Sequence, residues 1–212
     1  MSAYEVYEKL SAEKKEKIML VCLEEFAEKG YEGASTNDIV NRAGISKGIL
    51  FHYFGNKKNL YLYVLDKMLD RAMDKFKIAY SAATTDLFER ISLSGMIKLR
   101  LSLEEPLAYK LIFGAFINIP KALADEVQNR VKKLYDMAMP MLFDELDLSK
   151  IRDGIDPNRA TEIVLLFMEG FQAKYIEAYK NMRPEQVLMR IDKLSQESKE
   201  YMDILKKVFY KE

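Results

Sequence analysis

The chain holds a single cysteine, Cys22, and a single histidine, His52, in 212 residues. One thiol cannot form an intramolecular disulfide. One histidine cannot supply the paired Glu-x-x-His motifs of a di-metal carboxylate site in a helical bundle. A Cys-His-Asp nucleophilic set, a Walker loop and a dinucleotide fingerprint are also missing, so an enzyme is not expected, nor a metal or cofactor. Charge of one sign is absent too: 33 basic residues balance 33 acidic ones. Global charge therefore does not announce a nucleic-acid partner. Apolar runs stay far below the roughly 20 residues that span a bilayer, and the opening MSAYEVYEKL is polar and carries acids, unlike a signal peptide. No membrane partner and a cytoplasmic location are the expectation. Cys22 lies in a helical pattern with Ile18, Val21 and Phe26 and reads as core.

Beta-branched alternation of strand type is absent as well, and helical signals replace it. Pro106, Pro120, Pro157 and Pro184 each stand where a helix can start, with Asp156 as an N-cap before Pro157. Pro140 alone falls inside a helical pattern, where a kink is expected. The pattern predicts an all-α chain of about nine helices, near 11–29, 36–43, 47–53, 57–80, 86–103, 106–117, 120–146, 157–181 and 185–209.

The densest set of signals runs from Ser35 to Leu60. Ser35 with Asp38 three residues on is a capping box, so a helix should start at Thr36. Ile39, Val40 and Ala43 give that helix an apolar edge. Gly44 ends it by tolerating positive φ, and Ile45 is placed to plug the space before the next helix. Ser46 caps a helix of two turns in which Leu50 and Phe54 share one face. Gly48 and His52 fall on the other face with Ile49 beside them, while Ser46, Lys47 and Phe51 cluster at the leading tip. Gly55-Asn56 breaks and re-caps, putting Lys57 and Lys58 in the first turn of a third helix.

Stability alone does not account for those lysines. The first turn of a helix already carries partial positive charge, so cations there oppose the dipole unless an anion joins them. Gly48 costs about 1 kcal/mol against alanine inside a helix, and its missing side chain lets another surface come close. Local charge agrees: between residues 34 and 60, Arg42, Lys47, Lys57 and Lys58 face Asp38 alone. The spacing is that of a helix-turn-helix docked on double-stranded DNA.

The stretch resembles the DNA-binding domain of the tetracycline-repressor (TetR) family of bacterial regulators. The matching residues are Phe26, Gly30, Tyr31, Ser35, Thr36, Ile39, Ala43, Gly44, Ser46, Lys47, Gly48, Tyr53, Phe54, Lys57 and Leu60. The resemblance implies a DNA-binding domain over residues 1–56 and a helical ligand-binding and dimerisation domain over 57–212. It implies that Thr36, Tyr53 and Lys57, with Lys58 as an addition, hold phosphates, and that Lys47 and Gly48 approach base edges in the major groove with Phe51 and His52 alongside; Ser46, at the tip, is counted with the DNA-binding residues. The family often has tyrosine where this chain has Phe51. That ring could instead meet a thymine methyl or pack internally, and His52 could be an ordinary surface residue.

The last helix adds a second signal. Val187, Ile191, Leu194, Ser198, Tyr201, Leu205 and Val208 form a heptad seam, weakened at Ser198. The helix from Pro157 is apolar on two faces, Ala160, Ile163, Phe167 and Gly170 on one and Val164, Met168, Phe171 and Tyr175 on the other. Both helices can be monomer core. Pairing across a two-fold axis as a four-helix bundle is the sharper reading, and it makes a homodimer. Ile163, Phe167, Gly170, Ile191, Leu194, Tyr201 and Leu205 are the candidate interface.

The segment from Leu107 to Ile119 is apolar on nearly every face, interrupted by Gly114 and the polar ends of Tyr109, Lys110 and Asn118. It is core, or the wall of a cavity for a small apolar ligand. Tyr109, Phe113, Phe116, Phe167, Phe171 and Tyr175 are the pocket candidates. The function expected is a ligand-responsive regulator, first of all a repressor, released from a palindromic operator by a small apolar molecule. The alternative is a helical ligand-binding or scaffold protein whose DNA motif is no longer used.

Overall fold

Helix starts are set by side-chain caps and prolines. Ser35 Oγ accepts from the Asp38 N–H, Ser46 Oγ from the Ile49 N–H, and Asn56 Oδ1 from the Asn59 N–H. Asp86 Oδ1 accepts from both Phe88 and Glu89, and Asp156 Oδ1 from Asn158. The computed structural model describes residues 4–80, 84–117, 119–179, 182 and 184–211. Asn118, the expected helix end at 180–181 and the side chain of Val187 lie outside the described residues.

Within them run ten α-helices: α1 (Tyr4–Glu8), α2 (Ala12–Gly33), α3 (Thr36–Ala43), α4 (Lys47–Phe54), α5 (Lys57–Tyr80), α6 (Leu87–Glu104), α7 (Pro106–Ile117), α8 (Ala124–Phe143), α9 (Pro157–Tyr179) and α10 (Pro184–Phe209). Among the described residues no strand occurs, only an isolated bridge between Ile151 and Tyr210. The protein is all-α, with one helix more than expected. The addition is α1, whose five residues fall inside the segment read as merely polar. Proline opens α7, α9 and α10 as expected, whereas Pro120 precedes a turn of 3-10 helix, Lys121–Leu123, and α8 starts only after it. Pro140 lies in the last turn of α8.

The chain divides into two compact units, residues 1–72 with 107–132 and residues 73–106 with 133–212. The chain passes between them within α5, at the start of α7 and within α8.

The first unit buries Ile18, Cys22, Phe26, Ile39, Leu50, Phe54, Leu60 and Leu65. A buried acid ties α2 to α3. Glu25 Oε1 accepts the N–H of Ser35 at 2.9 Å, and its carboxylate meets Lys29 at 2.8 Å. The capping box is thus half local: Ser35 caps Asp38, but Glu25 answers Ser35, while Asp38 pairs with Lys29 at 3.1 Å. α1 docks through aromatic rings. Tyr7 is buried, its ring centroid 4.9 Å from that of Phe54 and 5.6 Å from that of Tyr63, and its hydroxyl donates to the Lys15 carbonyl at 2.8 Å.

Glu8, at the end of α1, accepts a hydrogen bond from the Tyr63 hydroxyl and pairs with Lys67 at 3.1 Å. The Tyr63 bond is the main reason its carboxyl is held down at about 2; partial burial opposes this, and Lys67 and Lys15 assist. A depressed folded-state pKa stabilises the folded form above the unfolded value, and the contribution is lost as pH falls towards the folded one. The docking of α1 should therefore weaken between the ordinary value of 4.5 and about 2. Chemical shifts of the Tyr7 and Tyr63 rings followed through an acid titration should report it, and a Glu8→Gln variant should lack that step.

In the second unit α6 packs along both α9 and α10, more extensively than those two pack on each other. Its core joins Leu87, Phe88, Ile91 and Leu99 to Ala160, Val164, Met168, Phe171, Leu194, Met202 and Phe209. Gly95 lets α6 and α9 approach closely, since a Cβ there would stand 2.2 Å from Met168 Cε. Arg90 is buried, and among the described residues no carboxylate pairs with it. Its guanidinium donates to the carbonyls of Thr84, Met141 and Asp144, closing the C-terminal end of α8.

Candidate nucleic-acid interface

α3 and α4 are joined by Gly44, whose φ of 73° and ψ of 35° are left-handed, the conformation that a Cβ disfavours. Its N–H returns to the Val40 carbonyl at 3.0 Å, so the chain turns within two residues. Leu50 and Phe54 anchor α4 in the core, and Gly55, at φ 78°, ends it. Lys47, Gly48, Ile49 and His52 are left exposed, with Phe51 and Tyr53 half-buried. This is the face expected from the sequence.

Gly48 has no packing reason. A Cβ built on it meets nothing closer than Ser46 Oγ at 3.9 Å, and its φ is not positive. The helix therefore gives up stability for open space on its outward face. Thr36 opens α3 and is half-buried; Ser46 Oγ is engaged in its cap. Phe51 carries the Lys47 ammonium over its ring at 5.9 Å. His52 is exposed, its ring 6.1 Å from that of Tyr53, and Tyr53 in turn packs edge-on against Tyr7 at 5.9 Å.

The four cations are not equivalent. Arg42 pairs with Glu24, and Lys58 with Glu126 of α8. Lys47 and Lys57 have no carboxylate within ion-pair distance among the described residues. The Lys57 ammonium instead lies 5.0 Å over the ring of Tyr31 and donates to the Glu32 carbonyl at 3.2 Å. Tyr31 is among the residues that carry the family resemblance, with no role implied for it. Its position one helix turn before Ser35, four residues away, does not reveal that it supports a lysine 26 residues later.

The candidate dimer residues divide. Ile163, Gly170 and Tyr201 are exposed and Phe167 and Leu205 half-buried, but Ile191 and Leu194 belong to the chain's own core. The buried stripe of α10 runs Ile191, Leu194, Ser198, Met202, Phe209, so it drifts off a strict heptad, as a straight helix does. Ser198 is part of that core, its hydroxyl 3.3 Å from that of Ser92. The seam leaves an apolar stripe outside: Ile163 (45% exposed) and Leu166 (61%) on α9, and Tyr201 (39%), Ile204 (57%) and Val208 (52%) on α10. A Cβ on Gly170 meets nothing within 4 Å.

The pocket candidates lie in different units. Tyr109, Phe113 and Phe116 are on α7 in the first, with Tyr109 and Phe113 stacked at 4.2 Å; Phe167, Phe171 and Tyr175 are on α9 in the second. Among the described residues no three His, Cys, Asp or Glu side chains cluster as a metal site needs. No single helix there is long and apolar enough to cross a membrane.

Two short helices at a glycine corner, an outward face stripped of bulk and two lysines without a carboxylate partner among the described residues define a helix-turn-helix protein. Residues 18–64 match the model of the bacterial regulatory proteins of the tetR family. Over 154 residues the chain is 27% identical to the HTH-type transcriptional activator FasR of Mycolicibacterium smegmatis, covering 72% of this chain and 66% of that protein. It is 29% identical over 157 residues to the HTH-type transcriptional regulator RutR of Escherichia coli K12, covering 73% and 69%. The chain thus spans about two thirds of the length of these relatives. The crystal structure of a TetR family transcriptional regulator from Chloroflexus aurantiacus has the same fold, with a TM-score of 0.69 at 20% identity over 98% of each chain. Residues 18–64 are thus similar to the DNA-binding part of TetR-family regulators, and the chain shares the fold of a solved member of that family.

Proposed function

We propose that the protein is a ligand-responsive transcriptional regulator of the cytoplasm that binds a palindromic operator as a homodimer, blocks transcription there, and is released by a small apolar molecule. The observation that carries the DNA reading is the outward face of α4, where Gly48 sits without any packing need beside the unpaired Lys47. Lys47, Gly48, Phe51 and His52 enter the major groove, and Ser46 at its edge, while Thr36, Tyr53 and Lys57 fix the phosphates. Lys58 joins them only where a phosphate displaces Glu126.

One two-turn helix reads few bases, so specificity calls for a second copy. The exposed stripe of Ile163, Leu166, Gly170, Tyr201, Ile204 and Val208 supports pairing through α9 and α10 into a four-helix bundle. Two half-sites then lie one helical turn of DNA apart, or a multiple of it. A ligand that favours a different spacing of the two α4 helices lowers affinity by its differential binding to the two states. α5, which runs from the phosphate-binding turn at Lys57 to Tyr80, is the element to carry that change.

Selection of bound duplexes from a random DNA pool at moderate salt tests the reading. An enriched palindrome with two equal half-sites is the expected result. Lys57→Ala should then weaken operator binding and flatten its salt dependence by about two ion equivalents per dimer, and Lys47→Ala should relax sequence preference, both with an unchanged melting curve. A folded protein that enriches no sequence at low salt would instead be a ligand-binding or scaffold protein.

A further inference from the structure

The first unit contains a half-open cavity of about 200 Å³, lined by Phe26 and Ala27 of α2, Gly30, Tyr31, Tyr61 of α5, Lys110, Leu111, Gly114 and Ala115 of α7, and Pro120. None of the six pocket candidates read from the sequence lines it; α7 presents a different face. Three observations mark it as a binding site rather than a packing flaw. Its walls are aromatic and already ordered, with the Tyr61 ring edge-on to Phe26 at 5.1 Å and to Tyr31 at 5.3 Å. Gly114, a poor residue for a helix interior, lines it without a packing need, since an added Cβ would meet no atom within 4 Å. And the Lys110 ammonium at its rim is exposed, with no carboxylate partner among the described residues.

Size and charge choose the occupant. A cavity of about 150 Å³ takes up benzene, so this one holds a single ring with one small substituent. The unpaired lysine at the rim asks for that substituent to be an anion. The hydroxyls of Tyr31 and Tyr61 make no hydrogen bond to another described residue, and a phenol is a neutral donor at pH 7; burial pushes that of Tyr61 further up, to about 12. The lining thus offers three donors, Lys110, Tyr31 and Tyr61, the kind of set that a carboxylate takes.

We infer that this cavity binds a one-ring aromatic carboxylate, with its ring between Tyr31, Tyr61 and Leu111 and its carboxylate on Lys110, and that occupancy is transmitted to Lys57 through Tyr31. The transmission is short. The Tyr31 ring is at once a wall of the cavity and the platform under the Lys57 ammonium, so a ligand that turns the ring moves the lysine. This second part rests on Lys57 being a phosphate contact.

The test uses 4-fluorobenzoate on the full chain without DNA, read by 19F NMR, with neutral 4-fluorobenzamide as control. Saturable binding with a Kd on the order of 0.1–1 mM is expected for a ligand of this size. Gly114→Leu, which fills the cavity, should weaken it at least tenfold with no drop in melting temperature. Lys110→Gln should weaken the benzoate about tenfold and leave the benzamide within twofold. Absence of saturation, or binding that survives Gly114→Leu unchanged, overturns the site. Operator affinity in saturating 4-fluorobenzoate then tests the transmission. Wild-type affinity should fall and that of Gly114→Leu should not respond. If the benzoate binds as expected but affinity stays constant, the link through Tyr31 is wrong. If the protein selects no operator at all, the regulator reading fails while the ligand titration still decides the site.

Discussion

Phe54→Ala should lower the stability of the protein by about 3–5 kcal/mol, the range for removing a large side chain from a tightly packed core. Phe54 is essentially without solvent exposure, and its ring meets Tyr4, Tyr7, Tyr53 and Tyr63 at centroid distances of 4.9 to 6.3 Å. It is also the last residue of α4. Alanine would leave a void bordered by α1, α4 and α5 that rigid rings cannot close, and the outward face of α4 would lose its inner support. A fall in melting temperature on the order of 10 °C is expected for a chain of this length. Phe54→Leu keeps most of the volume and should cost less than half as much. If thermal melts of the two variants coincide, the aromatic cluster does not hold the unit together.

The second large effect concerns assembly. Leu166→Glu combined with Ile204→Glu should convert a dimer into monomers without harming the protomer. Both side chains are more than half exposed in the single chain, so charges there stay hydrated and should change its stability by only about 0.5 kcal/mol. In the paired state the same substitutions would bury four unpaired carboxylates, at several kcal/mol each. Every 1.4 kcal/mol is a factor of ten in Kd, so sedimentation should report a monomer at micromolar protein. Affinity for a full palindrome should drop by at least about a hundredfold, while a single half-site is bound as before. An unchanged sedimentation coefficient would move the interface elsewhere.

What the sequence made legible was what is local. The caps of α3, α4 and α9 depend on residues two or three apart, and Gly44 and Gly55 carry their conformations in their identity, so these elements could be read with near-correct ends. The exposed face of α4 followed from the helical period. Long-range partners could not be read. Nothing within reach of Lys58 hints at Glu126, 68 residues away, nor does Ser35 point to Glu25 in the helix before it. α1 escaped because five residues give too little periodicity, although Tyr4 and Tyr7 three apart were a signal. On α10 the heptad predicted Tyr201 and Val208 alongside Ile191 and Leu194, and packing against α6 separated them into exposed and buried sets. On α7, apolar on nearly every side, composition could not say which face borders empty space.

The lone thiol has a use that follows from its burial. Cys22 is fully enclosed in α2, and burial pushes it up to about 12, so at neutral pH it offers a reagent neither access nor thiolate. A thiol-reactive dye can modify it only while α2 is lifted from its neighbours. With one cysteine in the chain, every labelling event reports the same place. The labelling rate is then a clock for the transient opening of the helix-turn-helix unit, with no foreign probe added. Run with and without DNA or ligand, that clock would show directly which of them holds the unit shut.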